Sequence, residues 1–212
     1  MRRSFATVPL IALLAACSGE SPSQSADEAA RQPEVSSTTN PDPEGAEARP
    51  PSQAASPDGY TSAYTTLDLD DCEVLDRSTD EGSWIDLRCP GLQGIPLFVS
   101  EGDGRFDVAA GVPGDSFATI MAFNDLDETV EWRMQDGEPF AVIFRYRDVS
   151  LESGPRTVLA IEKIGRPGAP GCRVAQIAGA TPRANERARM IADQRAAGFD
   201  CSAEPYYVGD AR

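Results

Sequence analysis

Between Val130 and Tyr146 large apolar side chains recur with a period of two on either side of an Asp136-Gly137 pair. Val130, Trp132 and Met134 alternate with Glu131 and Arg133, and Phe140, Val142, Phe144 and Tyr146 alternate with Ala141, Ile143 and Arg145. Successive side chains on a strand point to opposite faces, so this pattern is that of a half-buried strand pair. Asp-Gly between two such runs is a strong hairpin signal, because both central residues of the tight turn take positive φ. The segment therefore predicts an antiparallel hairpin, and the rest of the domain has to be built around it.

Shorter runs near 72–76, 83–88, 95–100, 105–109, 156–164 and 172–177 are separated by turns containing Asp, Gly and Ser. Together they predict about eight short strands in hairpins and a meander. Near the end Thr181 is placed to cap a helix, Pro182 to take its first position and Gly198 to stop it. Between them Ala184, Ala188, Ile191 and Ala192 make a narrow apolar stripe suited to packing on the sheet. The expected class is α+β: mainly antiparallel β with one C-terminal helix packed on it. Residues 59–212 are long enough for a single core, and one domain is expected there.

Five cysteines divide into one near the start, Cys17, and four in the domain, Cys72, Cys89, Cys172 and Cys201. An even number in an exported chain implies two bridges, for which three connectivities exist. The local pairing is favoured: Cys72 with Cys89 across the first hairpin, and Cys172 with Cys201 across the helix. Each closed loop would contribute about 3 kcal/mol. A four-thiolate zinc site lacks its paired C-x-x-C knuckles, so no metal is expected.

Arg2-Arg3, the apolar run Val8 to Leu14, and Leu14-Ala15-Ala16-Cys17 have the charged, hydrophobic and small-residue regions of an export signal over residues 1–16. The last four resemble the lipobox of bacterial lipoproteins. That resemblance implies acylation of the Cys17 sulfur, cleavage before it and acylation of the new amine; more than one acyl chain is what makes such an anchor durable. Ser18, where an inner-membrane retention signal of that family carries Asp, points to the outer membrane, facing the periplasm. Arg2-Arg3-Ser4-Phe5 also resembles a fragment of a twin-arginine signal. Residues 17–58 carry seven prolines among Ser, Gln, Ala and acids with almost no large apolar side chains, the composition of a disordered tether. As a flexible coil it would span about 35 Å.

The chain has 34 acidic and 19 basic side chains. Loss of Arg2 and Arg3 with the signal would take the formal charge from −15 to −17. Phosphate backbones would repel such a chain, so nucleic acid is not an expected partner, whereas a basic protein would be attracted. On the predicted helix Arg183, Arg187, Arg189 and Arg195 outnumber Glu186 and Asp193, a local basic excess that would suit a cell-wall polymer or pair with the domain's own acids.

The chain contains no histidine, which removes Ser-His-Asp, Cys-His and His-ligated zinc chemistry. Gly114-Asp115-Ser116 resembles the nucleophile block of Gly-Asp-Ser esterases without their base. Lys163, the only lysine, has no S-x-x-K spacing to a serine. A calcium loop beginning at Asp76 fails at Glu81 and Leu87, leaving a polar turn. Asn124 to Glu128 invites the same calcium idea but reads as the start of a strand or the cap of a short helix at 117–123. Only a carboxylate pair survives, with Glu101, Asp103 and Glu131 as candidates. No cofactor is expected.

Cys72-Glu73-Val74-Leu75, Trp84, Cys89-Pro90-Gly91, Gly94-Ile95-Pro96, Glu101-Gly102-Asp103-Gly104-Arg105, Glu131-Trp132-Arg133, Cys172 and Asp200-Cys201 resemble a pattern of uncharacterised exported proteins of Gram-negative bacteria. The likeness spans most of the domain, implies the same cysteine pairing and carries no activity with it. The expected function is a non-catalytic envelope lipoprotein, a tethered binding module similar in outline to inhibitors of basic cell-wall hydrolases. Its alternative is a carboxylate-based glycan hydrolase. Binding candidates are Arg183, Arg187, Glu101 and Asp103. Replacing Cys17 by serine is expected to abolish acyl labelling and move the protein from the membrane fraction to the soluble one; retention of both label and membrane would defeat the lipobox reading.

Overall fold

The computed structural model describes residues 59–80, 82–114, 116–150 and 156–212. The signal segment, Cys17 and the proposed tether lie outside the described residues, as does Asp115 of the Gly-Asp-Ser motif.

Among the described residues eleven strands form two sheets. β1 (Tyr60–Thr66), β6 (Asn124–Leu126), β7 (Thr129–Gln135), β8 (Glu138–Asp148), β9 (Arg156–Lys163), β10 (Cys172–Ala178) and β11 (Tyr206–Val208) make the larger one. Its order is β1-β7-β8-β9-β10-β11, with β6 on the far end of β8. β2 (Glu73–Ser78), β3 (Trp84–Cys89), β4 (Leu97–Gly102) and β5 (Arg105–Ala110) form a four-stranded antiparallel meander. The expected β7–β8 hairpin is present, with Asp136 at φ 52° and Gly137 at φ 84°. A second Asp-Gly turn, Asp103 (φ 54°) and Gly104 (φ 68°), joins β4 to β5. The tally of eight strands omits β1, β6 and β11, and β11 runs parallel to β10 where a continued meander would be antiparallel.

Alternation sorts the larger sheet into two faces. Val130, Trp132, Val142, Phe144, Tyr146 and Val158 meet Leu87, Leu97, Val99 and Val108 of the smaller sheet in one core. The Trp132 indole N–H, which would be costly to bury unpaired, donates to Thr65 Oγ1 at 2.8 Å. Ile143, Leu159, Ile161, Ala175 and Ile177 on the opposite face pack against α1 (Ala184–Ile191) and the π turn that continues it through Ala196. Ala188, Ala192 and Ala196 are fully buried, with Ala184 partly buried beside them. Spaced four apart, they let the helix backbone lie close to the sheet. The sheet is thus a middle layer, and the short strands buried on both faces are apolar at consecutive positions.

The helix start differs from the expected one. Thr181 lies at a bend and does not cap; Pro182 and Arg183 form a turn, with Arg183 in the left-handed region (φ 57°) just before Ala184 and no side chain capping the first turn. Residues 117–123 contain no helix; Asn124 instead begins β6. Both expected bridges are present, Cys72–Cys89 and Cys172–Cys201. No helix among the described residues is long and apolar enough to cross a membrane.

Enlarging the buried alanine row should lift the helix from the sheet. Ala188→Leu is expected to cost about 1–3 kcal/mol in denaturant unfolding, whereas Arg187→Ala on the exposed side should stay within about 0.5 kcal/mol. Equal effects would contradict this packing.

Candidate functional site

The polar positions of β7 point toward the helix, not to open solvent. Glu131 and Arg133 lie two apart on the strand, Arg189 and Asp193 four apart on the helix. Two strand residues advance about 6.6–6.8 Å and four helical residues about 6 Å, so the two spacings run in step. Arg189 donates from Nε to Glu131 Oε1 (2.6 Å) and from Nη2 to Oε2 (3.3 Å). Arg133 clamps Asp193 with two bonds, Nε to Oδ1 at 2.9 Å and Nη2 to Oδ2 at 2.7 Å. Ser62, opposite Arg133 on β1, donates to Glu131 Oε1 at 2.5 Å and accepts from Arg133 Nη1, joining the pairs. Such paired, hydrogen-bonded burial is what makes an Arg133 side chain only 3% exposed tolerable.

One helical turn earlier Asn185 Oδ1 accepts from Arg145 Nη2 at 2.9 Å. Arg145 also contacts Asp127 at 3.6 Å and reaches Thr157 Oγ1 at 3.5 Å. The Tyr64 hydroxyl accepts from Arg189 Nη2 at 3.3 Å. Between these side chains opens a cleft of about 270 Å³, floored by Ile143 and Leu159.

A second polar cluster lies on the opposite face of the sheet. Arg173 and Glu162, each 5% exposed, are paired through Nε and a carboxylate oxygen. Arg173 also donates to Gln176 Oε1, to the Ala118 carbonyl and to the Tyr146 hydroxyl. Gln176 in turn donates to the Ala211 carbonyl at 2.9 Å. Arg173 thereby fastens both the 116–123 segment and, through Gln176, the residues around Ala211 to the sheet. Burial pushes the Glu162 carboxyl up from its ordinary 4.5 to about 7, against the pull of the Arg173 cation. Burial also raises Asp107, which Arg173 and the Ala118 and Val108 N–H groups partly offset. These groups are donors and acceptors to one another, an arrangement that fixes conformation. Beside them Phe117, Ala118, Thr119 and Met121 border a larger cleft of about 420 Å³. Met121 is 78% exposed, and Phe117 and Phe123 are also exposed.

The sequence-derived candidates do not converge. Glu101 accepts from Gly104 N–H at 2.9 Å, and Asp103 pairs with Arg105 at 2.6 Å, so both serve the β4–β5 turn. Glu131 is engaged beneath the helix by Arg189 and Ser62. Arg183 pairs with Glu186 at 3.6 Å across one helical turn. Arg187 is exposed, and Arg195 stacks on Tyr206. Lys163 donates to the Phe199 carbonyl at 2.9 Å. Among the described residues no group of three or more carboxylates or thiols is placed to hold a metal ion. Sequence reasoning missed Tyr64, Arg145 and Asn185; the signal was the 185–189–193 spacing facing the β7 alternation. Compared with family models, curated proteins and solved structures, the chain finds no match.

A folded-state pKa raised above the unfolded one means stability that is full below about pH 4.5 and lost as pH rises through about 7. The stability of the wild type relative to Glu162→Gln, measured by guanidinium unfolding, should therefore fall between pH 4.5 and 7.5. A difference that stays flat or grows would contradict the burial argument.

Proposed function

We propose that the chain is a non-catalytic lipoprotein of the cell envelope, anchored through Cys17, whose folded domain binds a basic protein. A basic cell-wall hydrolase held inactive is the specific form of this reading. The observation that carries it is the segregation of charge beside an apolar surface. Residues 67–128 hold 15 acidic side chains against three arginines, while residues 129–212 hold 11 acidic against 12 basic ones. Nearly all the domain's net negative charge thus falls in residues 67–128, which comprise the smaller sheet, its loops and β6. Phe117, Met121 and Phe123 are exposed at the end of that same segment, with Arg105 stacked on the Phe123 ring. Exposed aromatic and methionine side chains supply the dry centre of a protein interface, and surrounding acids steer a basic partner toward it. The candidate carboxylates Glu101, Asp103 and Glu131 have structural partners, which supports binding over catalysis.

The purified Cys17→Ser chain, intact but unanchored, is expected to inhibit a basic muramidase, more strongly at low salt than at 0.3 M. Met121→Asp should weaken inhibition at least ten-fold with unfolding unchanged. Absence of inhibition at both salt concentrations would sink the reading, and turnover of glycan by the chain itself would overturn its non-catalytic part.

A further inference from the structure

We infer that the cleft between the start of α1 and strands β1, β7 and β8 is a binding site for a neutral saccharide ring. This goes beyond the proposed protein partner and uses a different face of the larger sheet. Two acids, Asp127 and Glu131, and two arginines, Arg145 and Arg189, line the cleft, so its walls carry no net charge. An ion would gain at one wall what it lost at the other. A neutral ligand rich in hydroxyls gains at both.

Sugars combine two surfaces that seldom occur together. Their ring C–H groups form an apolar patch that stacks on an exposed aromatic face, and their adjacent hydroxyls bond planar carboxylate, amide and guanidinium groups. The cleft supplies both. Tyr64 is 48% exposed at its edge, and carboxylate, amide and guanidinium groups stand around it. Its volume, about 270 Å³, lies below the roughly 300–1,000 Å³ of drug-sized sites, which suits one ring.

Bonding capacity is left over in the walls. Asn185 uses its carbonyl oxygen toward Arg145, and among the described residues nothing accepts from its amide nitrogen. The same holds for Nη1 of Arg189, whose Nε and Nη2 are engaged by Glu131 and Tyr64. Thr129, an exposed residue, lines the same cleft. The groups that hold these donors are themselves held: Glu131 by Ser62, Arg145 by Thr157. Little ordering remains to be done when a ligand enters, which favours affinity in a small site.

Saturation-transfer NMR and calorimetric titration of the Cys17→Ser chain with methyl glucoside and N-acetylglucosamine test the assignment. Glucuronate and glucosamine, which keep the ring, serve as charged counterparts. At least one neutral sugar should bind with a dissociation constant below about 10 mM, and each charged counterpart more weakly. Tyr64→Ala and Asn185→Ala should each weaken binding at least ten-fold with unchanged unfolding midpoints, while Tyr64→Phe, which keeps the ring, should retain most of it. Binding of neither neutral sugar, tighter binding of a charged one, or affinity indifferent to both alanine variants would overturn the proposal. Met121→Asp should leave sugar binding intact, so failure of the protein-partner reading and failure of this one are separable.

Discussion

The β7–β8 strand pair has to be covered on both faces, and the other elements are arranged to do so. On one side Trp132, Phe144 and Tyr146 need an apolar partner, which the smaller sheet provides. On the other, Ala141 and Ile143 need cover while their neighbours Glu131 and Arg133 need counter-charges. A wholly apolar helix would leave these two buried ions only their long 4.0 Å contact with each other and their shared Ser62, a costly loss of partners. A wholly polar one would leave the isoleucines wet. α1 and the π turn that continues it meet both requirements with two adjacent rows, alanines at 184, 188, 192 and 196 and polar residues at 185, 189 and 193.

Much of this was legible in the residues. The Asp136-Gly137 turn, the local cysteine pairs and the alanine stripe follow from short-range rules and occur as expected, whereas the strands around the turn are buried on both faces and not half-buried as their alternation suggests. What escaped depends on partners distant in the chain. Tyr60–Thr66 has Thr and Ser at many positions and no large aliphatic side chain, so its pairing with β7 had no local signal. Tyr206–Val208 is three residues long and is a strand only because β10 offers an edge. The helix start moved because Arg183 adopts a left-handed conformation that no capping preference anticipates.

The candidate site was less legible than the fold, for a related reason. Period two separates Glu131 and Arg133 from Trp132, but alternation alone cannot say whether the polar face meets water or another element. Glu101 and Asp103 stood out as neighbouring acids near an exposed turn, and their chemistry is that of the turn itself. Arg145 and Asn185 were inconspicuous because each gains its meaning from the other, 40 residues away.

The rows on α1 also decide where the helix can sit. Alanines repeating every four residues make a smooth rail, along which a shift of one turn would exchange each alanine for the next at almost no cost. The polar row beside them is not periodic in sign: Asn185, Arg189 and Asp193 are neutral, positive and negative. Slipping one turn would set Asp193 against Glu131 in one direction, or Arg189 against Arg133 in the other, like charges in a place sheltered from water. The alternating pairs therefore act as a key: only one seating is electrically permitted on a rail that would otherwise accept several.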